Sequence, residues 1–415
     1  MLDLQQLRQQ LERLPETQFE TRRLREEQRA RAVATLREIA DVWQTVQTDV
    51  EEASPRRLVA SLRARPTTVQ PAPSRPTPVT VVATDGSQIY PDRHVEPAYF
   101  LLNIGRVAFQ YGTTEPPTLD AVPDLRFADD LDEHFDEVLA SMTTEIVSAL
   151  RDEQELAELL ALARDRRVAD RPLVALADGT LIRWMLRGMQ NRVVEEALIE
   201  RYTGMLKEFM ADELPIASYI SMPGNTELVN LLRFYLGELD DNREEPIALG
   251  DGASRSQAMR ADPPGETRTR ESAEGPRLAG LLDRHVVRAI LQPGERSAVF
   301  GSTSHIQRQY PEGNEICYFY LNVPVTKHDS EIARIEIPAW VADRSELVDR
   351  IHATVMSECR KGEGYPLILA EAHERAVIRA PERESFQRLL DRTLRRAGLP
   401  SSRSRKRSSK QRPRV

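Results

Sequence analysis

Two aspartates in matching settings carry the strongest chemical signal in the sequence. The segments VTVVATDGS (79–87) and PLVALADGT (172–180) run through apolar, largely β-branched residues into Asp-Gly-Ser or Asp-Gly-Thr, so Asp85 and Asp178 would stand at the ends of buried strands. Two carboxylates brought together repel and raise each other's pKa unless a cation lies between them. Oxygen donors suit a hard divalent ion, Mn²⁺ or Mg²⁺. Gly86 and Gly179 leave room for close approach, and Ser87 and Thr180 can hydrogen-bond a phosphate or the carboxylates. The same tripeptides also end strands in plain turns. A third carboxylate would come from the helical stretch between the strands, where Glu145 and Glu155 are the candidates. At about 100° per residue Glu145 falls nearer the apolar stripe and Glu155 towards its edge. Near the C-terminus, GYPLILAEAHERAVI (364–378) places Tyr365 at the start of an expected strand, Tyr365–Ala370, and His373 at an expected helix start. A histidine there can ligate a metal or move protons, since it titrates near neutrality, although a lone histidine is also often structural.

These residues need elements that bring them together. Tyr99–Ile104 and Arg106–Tyr111 read as a hairpin about Gly105, followed by a Pro- and Asp-rich loop (115–130). A helix then runs from about Leu131 to Ala163, marked by Phe135, Val138, Leu139, Met142, Ile146, Leu150, Leu156 and Leu160. A helix between two strands of one sheet favours a right-handed crossover, which makes the strands parallel neighbours. Asp85 and Asp178 then meet at the sheet edge where α/β folds place their sites. Downstream, Arg192–Met210, Thr226–Leu236 and Ser345–Lys361 read as helices, and a terminal helix runs through Arg396. Ile216–Ser221, Ser297–Phe300, Cys317–Val323 and Ala333–Ile337 read as strands, and residues 240–277 as a polar insertion.

The flanks differ in kind. Residues 1–53 form an expected helical arm whose stripe, Leu4, Leu7, Leu11 and Leu14, is interrupted at Pro15 and resumes as Leu36, Ile39, Trp43, Val46 and Val50. That stripe needs a cover, and a coiled-coil contact, intermolecular or antiparallel, is favoured over packing on its own body. Residues 54–78 hold six prolines, five arginines and no acid, which reads as an extended basic linker. Residues 79–397 form the expected main domain, and 398–415 a basic disordered tail.

The chain has 415 residues with 57 Lys+Arg against 65 Asp+Glu, a net charge of -8. That balance argues against a general nucleic-acid coat protein. It hides a polarity, because the last fifteen residues carry seven basic side chains and no acid, and such a tail can meet phosphates. Cys317 and Cys359 stand far apart with no CxxC, which fits a reducing cytoplasm. The N-terminus lacks a signal pattern, and no apolar run approaches the ~18–20 residues that span a bilayer, so no membrane location is expected.

The ordered set of motifs resembles the NurA family of nucleases. The matching pieces are Ala83-Thr-Asp85-Gly-Ser87, Leu150-Arg151 with Glu155-Leu156, Leu176-Ala-Asp178-Gly179, Tyr219-Ile-Ser221 with Val229-Asn-Leu-Leu232, Gly294-Glu-Arg-Ser297, Arg334-Ile-Glu-Ile-Pro338-Ala-Trp340, and the closing Tyr365 and His373. The resemblance implies an α/β fold, an RNase H-like mixed sheet with flanking helices. It implies a catalytic set of Asp85, Glu155, Asp178, Tyr365 and His373, with Asp85, Glu155, Asp178 and His373 holding Mn²⁺, Mg²⁺ being the alternative. It prefers Glu155 over Glu145. It further implies a metal-dependent DNA nuclease in double-strand-break end processing, a 5′–3′ exonuclease with some single-strand endonuclease activity. Single- and double-stranded DNA, a HerA-type hexameric ATPase translocase and a second copy of the chain are the implied partners. Met222-Pro223, where the family pattern expects a basic residue after the serine, and the polar insertion depart from it. A non-catalytic adaptor for DNA or the translocase is the competing expectation.

Overall fold

The computed structural model of the chain describes residues 14–91, 98–127, 143–183, 191–239, 276–326 and 329–398, with a few isolated positions between them. The chain forms two compact units, one of residues 73–219, 305–315 and 336–415, the other of residues 1–72, 220–304 and 316–335.

The site residues all lie in the first of these. Its elements are β1 (Val79–Ile89), β2 (Tyr99–Tyr111), β3 (Thr118–Phe127), α1 (Thr144–Asp165), β4 (Leu173–Asp178), α2 (Arg192–Ala211), β5 (Ile216–Ser221, entering the other unit after Tyr219), α3 (Ser345–Lys361), α4 (Leu367–Ala376) and α5 (Ala380–Arg396). The strands lie in the order β5-β4-β1-β2-β3. β1 runs parallel to β4, β4 parallel to β5, and β2 and β3 are antiparallel additions, so the sheet is mixed and the fold α/β as expected. Residues 79–84 of β1 and 173–176 of β4 are buried, as their continuous apolar runs require of central parallel strands.

Three readings of this unit are corrected. Tyr99–Tyr111 is one strand of 13 residues, with Gly105 inside it opposite Asp85, and no hairpin turns there. The glycine serves packing: a Cβ at Gly105 would lie 2.3 Å from the Ala372 carbonyl and 2.7 Å from the Ala376 amide of α4. Gly105→Ala is therefore expected to cost about 1–3 kcal/mol, read as a lower urea midpoint, by lifting α4 off the sheet. Second, most of the expected Pro- and Asp-rich loop is the edge strand β3, where Pro123 is tolerated because an edge offers a side that needs no ladder hydrogen bond. Asp120 of β3 takes two hydrogen bonds from Arg106, at 2.8 and 3.0 Å. Third, Tyr365–Ala370 is not a strand. Tyr365 precedes α4, whose buried Ile368, Leu369, Ala372 and Ala376 repeat at helical spacing, and His373 lies within that helix rather than at its start.

In the other unit the second half of the arm's stripe is covered by the chain's own body, while Leu4 and Leu7 are exposed. Helices Leu14–Asp41 and Trp43–Ala53 bury Leu36, Ile39, Val46 and Val50 in one cluster with Leu228, Leu231, Leu232 and Val286, so for these residues the favoured coiled-coil contact gives way to packing on the chain's own body. Pro15 sits in the first turn of its helix, a position where proline lacks no needed hydrogen bond, and the break between the helices falls at Val42. The Pro- and Arg-rich segment is not solvated throughout. Its apolar Leu58–Leu62 stretch supplies the strand Ala60–Leu62, paired with Phe300–Ser302, and Val69–Gln70 pairs with Arg296–Ser297. Both cysteines are buried, and neither is in a disulfide. Leu11, residues 131–142 of the expected helix, residues 240–275 of the polar insertion and residues 399–401 and 404–415 of the tail lie outside the described residues. Among the described residues no helix is long and apolar enough to cross a membrane.

Candidate active site

The register of β1 and β4 pairs Thr84 with Ala177, and the next residue on each strand is the aspartate. Asp85 and Asp178 thus stand side by side at the C-terminal ends of two parallel strands. α1 brings in the third acid. The Thr84 hydroxyl donates to the Glu155 carbonyl at 2.9 Å, which pins α1 to β1 one residue before Asp85. Gly86 makes that approach possible: a Cβ there would lie 2.4 Å from Glu155 Oε1 and 2.8 Å from Arg151 Cγ. Glu145, the other helix candidate, lies exposed in the first turn of α1 beside the N-cap Thr143. The structure therefore brings Glu155, not Glu145, to the aspartates. At Gly179 no protein atom makes a close approach, and the glycine answers a backbone need. It has φ 78° and open space around its Cβ direction, and its amide donates to Tyr219 O and to Asp178 Oδ1, each at 3.0 Å.

Tyr365 and His373 complete the group, each on one aspartate. The Tyr365 hydroxyl donates to Asp178 Oδ1 at 3.0 Å, and its ring stands edge-on to Tyr219 with centroids 5.3 Å apart. His373 Nδ1 lies 2.7 Å from Asp85 Oδ2; the imidazole is 64% exposed and the Asp85 side chain 16%. The carbonyl at the end of α4 is fastened to the strands: Ala376 O accepts from Ser87 Oγ at 2.5 Å and from Asn103 Nδ2 at 2.8 Å. These bonds, with Gly105 beneath the helix, hold His373 above Asp85. Ser87 thus binds backbone within the protein.

The electrostatics are those of crowded carboxylates. Burial, then Asp152 and Asp85, push Glu155 up to about 8, against the pull of Arg151. Asp178 is raised as well, by the protein packed around it and by Asp85, while the Tyr365 hydroxyl and the Gly179 amide pull it down; its position at the exposed end of β4 moderates the rise. Burial and the neighbouring Asp178 lift the Tyr365 phenol well above its ordinary value, so it stays a neutral donor.

Among the described residues no three of the His, Cys, Asp and Glu side chains already close on one point as a metal cage. Each acid is held instead by its own partner: His373 for Asp85, Tyr365 for Asp178, and Arg151 Nε, 3.0 Å from Oε1, for Glu155. The donor set still fits a hard divalent cation. Three carboxylates and an imidazole supply the oxygen and nitrogen ligands such ions take. Asp85 raises both Glu155 and Asp178, a mutual repulsion that a bound cation would relieve.

Three residues here are not singled out by sequence reasoning: Asp152, Arg183 and Glu336. Asp152 is 5% exposed and lies between Arg151 and Arg183, and Glu336, 1% exposed, accepts from Thr180 Oγ1 and from the Leu181 amide, both at 2.8 Å. Asp152 sits in a helix crowded with surface charges, and only its neighbours in space distinguish it. For Arg183 and Glu336 the nearest hint was position, one following Asp178 and the other inside the Arg334–Trp340 motif.

Residues 79–378 match the NurA domain family model. No curated protein sequence matches the chain. Among solved structures, the NurA nuclease from Sulfolobus solfataricus is similar at 12% identity over 87% of this chain and 94% of its own, with a TM-score of 0.45. A structure of NurA with manganese is similar at 9% identity over 78% and 90%, with a TM-score of 0.40. A further NurA structure is similar at 10% identity over 86% and 97%, with a TM-score of 0.39.

Proposed function

The chain belongs to the NurA family of nucleases, and from that premise we propose that it hydrolyses DNA phosphodiester bonds with the help of a divalent cation held at Asp85 and Asp178. The observation that carries this reading is the pair of aspartates on neighbouring parallel strand ends, each hydrogen-bonded to a different group of the C-terminal segment. A non-catalytic adaptor has no need of that arrangement. Mn²⁺, or Mg²⁺ in its place, would be held by Asp85 and Asp178, with Glu155 and His373 as further ligands. When bound, such an ion supplies Lewis-acid stabilisation of the phosphoryl oxygens and lowers the pKa of water.

The side chains account for the rest. With Asp85 ionised, His373 donates from Nδ1, which leaves Nε2 of the exposed ring as the basic nitrogen. That nitrogen either ligates or takes a proton from the attacking water. The water oxygen forms a bond to phosphorus, the bond to the leaving oxygen breaks, and the departing oxygen takes up a proton from solvent. Tyr365, neutral and donating to Asp178, fixes the orientation of that carboxylate. In this reading the enzyme works as a 5′–3′ exonuclease with some single-strand endonuclease activity in double-strand-break end processing. Its partners are a second copy of the chain and a HerA-type hexameric ATPase translocase.

The test is cleavage of end-labelled duplex and single-stranded DNA with Mn²⁺, with Mg²⁺ and with EDTA. Cleavage is expected with Mn²⁺ and its loss in EDTA; equal cleavage in EDTA would remove the cation from the reading. Tyr365→Phe keeps the ring on Tyr219 and removes only the donor to Asp178. It is expected to lower the cleavage rate about 10–100-fold with DNA affinity unchanged.

A further inference from the structure

We infer that Asp152 is a positioning residue that fixes where Glu155 stands relative to Asp178, acting through Arg151 on one side and Arg183 on the other. The inference rests on the reading that these carboxylates hold a divalent cation, and it adds residues that this reading does not use.

A carboxylate as buried as Asp152 is costly unless it is well paired. Asp152 is paired twice. Its Oδ1 accepts from Arg151 Nη2 at 2.7 Å and its Oδ2 from Arg183 Nη1 at 3.1 Å. Both guanidinium groups come from elements that carry site residues. Arg151 is on α1, where its Nε lies 3.0 Å from Glu155 Oε1, and its Nη1 donates to Gln88 Oε1 on β1 at 3.1 Å. Arg183 closes the segment that follows Asp178. Its guanidinium carbon lies 4.4 Å above the Tyr202 ring, and its backbone amide donates to the Tyr310 hydroxyl at 3.0 Å. That hydroxyl donates in turn to the Leu181 carbonyl at 2.8 Å. The segment between Asp178 and Arg183 is further fixed by Glu336, which accepts from Thr180 and Leu181.

One relay therefore joins the segment after Asp178 to Glu155 through Arg183, Asp152 and Arg151. The guanidinium of Arg151 is a rigid planar fork. With Nη2 anchored on Asp152 and Nη1 on Gln88, only its Nε edge faces Glu155. Without the Asp152 anchor, Arg151 can close both donors of one edge onto Glu155 and hold it as a bidentate ion pair, in competition with a cation. Groups that orient the ligands of a metal site are worth about 10–100-fold in affinity.

The test is calorimetric titration of Mn²⁺ alone, without DNA, into the full chain, into Asp152→Asn, into Arg183→Gln and into the double variant, with circular dichroism to establish folding. Each single variant is expected to bind Mn²⁺ about tenfold more weakly. The double variant is expected to match a single one, because both changes cut the same relay. Unchanged affinity in the singles, or losses that multiply to about 100-fold in the double, would overturn the relay. If Asp152→Asn does not fold, Arg183→Lys takes its place, since lysine keeps the charge and loses the fork. Weakened Mn²⁺ binding in that folded variant supports the relay, and unchanged binding overturns it. Affinity for duplex in EDTA is expected to stay the same in every folded variant, and a parallel loss there would assign these residues to general packing. A wild-type chain that binds no Mn²⁺ would overturn the reading of the site, and the relay with it.

Discussion

Asp85→Asn is expected to lower Mn²⁺-dependent cleavage of an end-labelled duplex by about 10³-fold or more while the protein remains folded. Asparagine has the size of aspartate and keeps an oxygen for His373, so the contact at the top of β1 survives in a weaker form. What disappears is the negative charge at the centre of the group. Asp85 raises both Glu155 and Asp178, so its neutral replacement relieves repulsion in the cation-free protein. The thermal midpoint of the variant should be unchanged or higher than that of the wild type. Loss of activity together with unimpaired stability marks a residue kept for function rather than packing. Undiminished cleavage would remove Asp85 from the chemistry, and a large fall in midpoint would assign it a structural role.

The second large effect is a pH dependence seen in the cation-free protein. Glu155 stands at about 8 in the folded chain against an ordinary value of 4.5. A carboxyl raised on folding favours the folded state while it keeps its proton. That contribution is complete below about pH 4.5 and is lost as pH rises through 8. At about 1.4 kcal/mol per pKa unit the loss is at most about 5 kcal/mol, and less where water and neighbouring charges relax around the group. In EDTA the midpoint of unfolding should therefore fall between about pH 5 and pH 8. Asp178 contributes in the same direction, and so does the buried Asp283 of the other unit, so the diagnostic is the difference between wild type and Glu155→Gln. The variant should show a visibly flatter slope. Mn²⁺ displaces the proton from a ligating carboxylate, so the stabilisation it gives should grow as pH rises over the same window. Equal slopes in wild type and variant would contradict the placement of Glu155.

Much of this arrangement can be read from residue types. Two apolar runs ending in Asp-Gly, with a helix between them, lead to parallel neighbours and to adjacent aspartates, and the register of β1 and β4 agrees. Gly105 shows where such reading fails. A glycine between two strand-like runs has the pattern of a turn, yet its purpose here is to admit α4 from another part of the chain, and nothing local records that approach. The helix acid is a similar case. Periodicity leans towards Glu145, because it ranks positions by apolar burial and a site acid lies at the margin of the core, beside Gly86. The stripe of the N-terminal arm is legible, but its cover is not, since Leu228, Leu231 and Leu232 lie far along the sequence. Asp152 and Arg183 are the least legible, because the sequence gives their charges and only the fold makes those charges neighbours.

The most direct measurement is anomalous diffraction at the manganese edge from crystals of the full chain soaked in Mn²⁺. The strongest peak is predicted to touch carboxylate oxygens of both Asp85 and Asp178, with Glu155 the helix acid nearest to it. A dominant peak elsewhere, with Asp85 and Asp178 still engaged by His373 and Tyr365, would contradict a cation-dependent nuclease site at these strand ends.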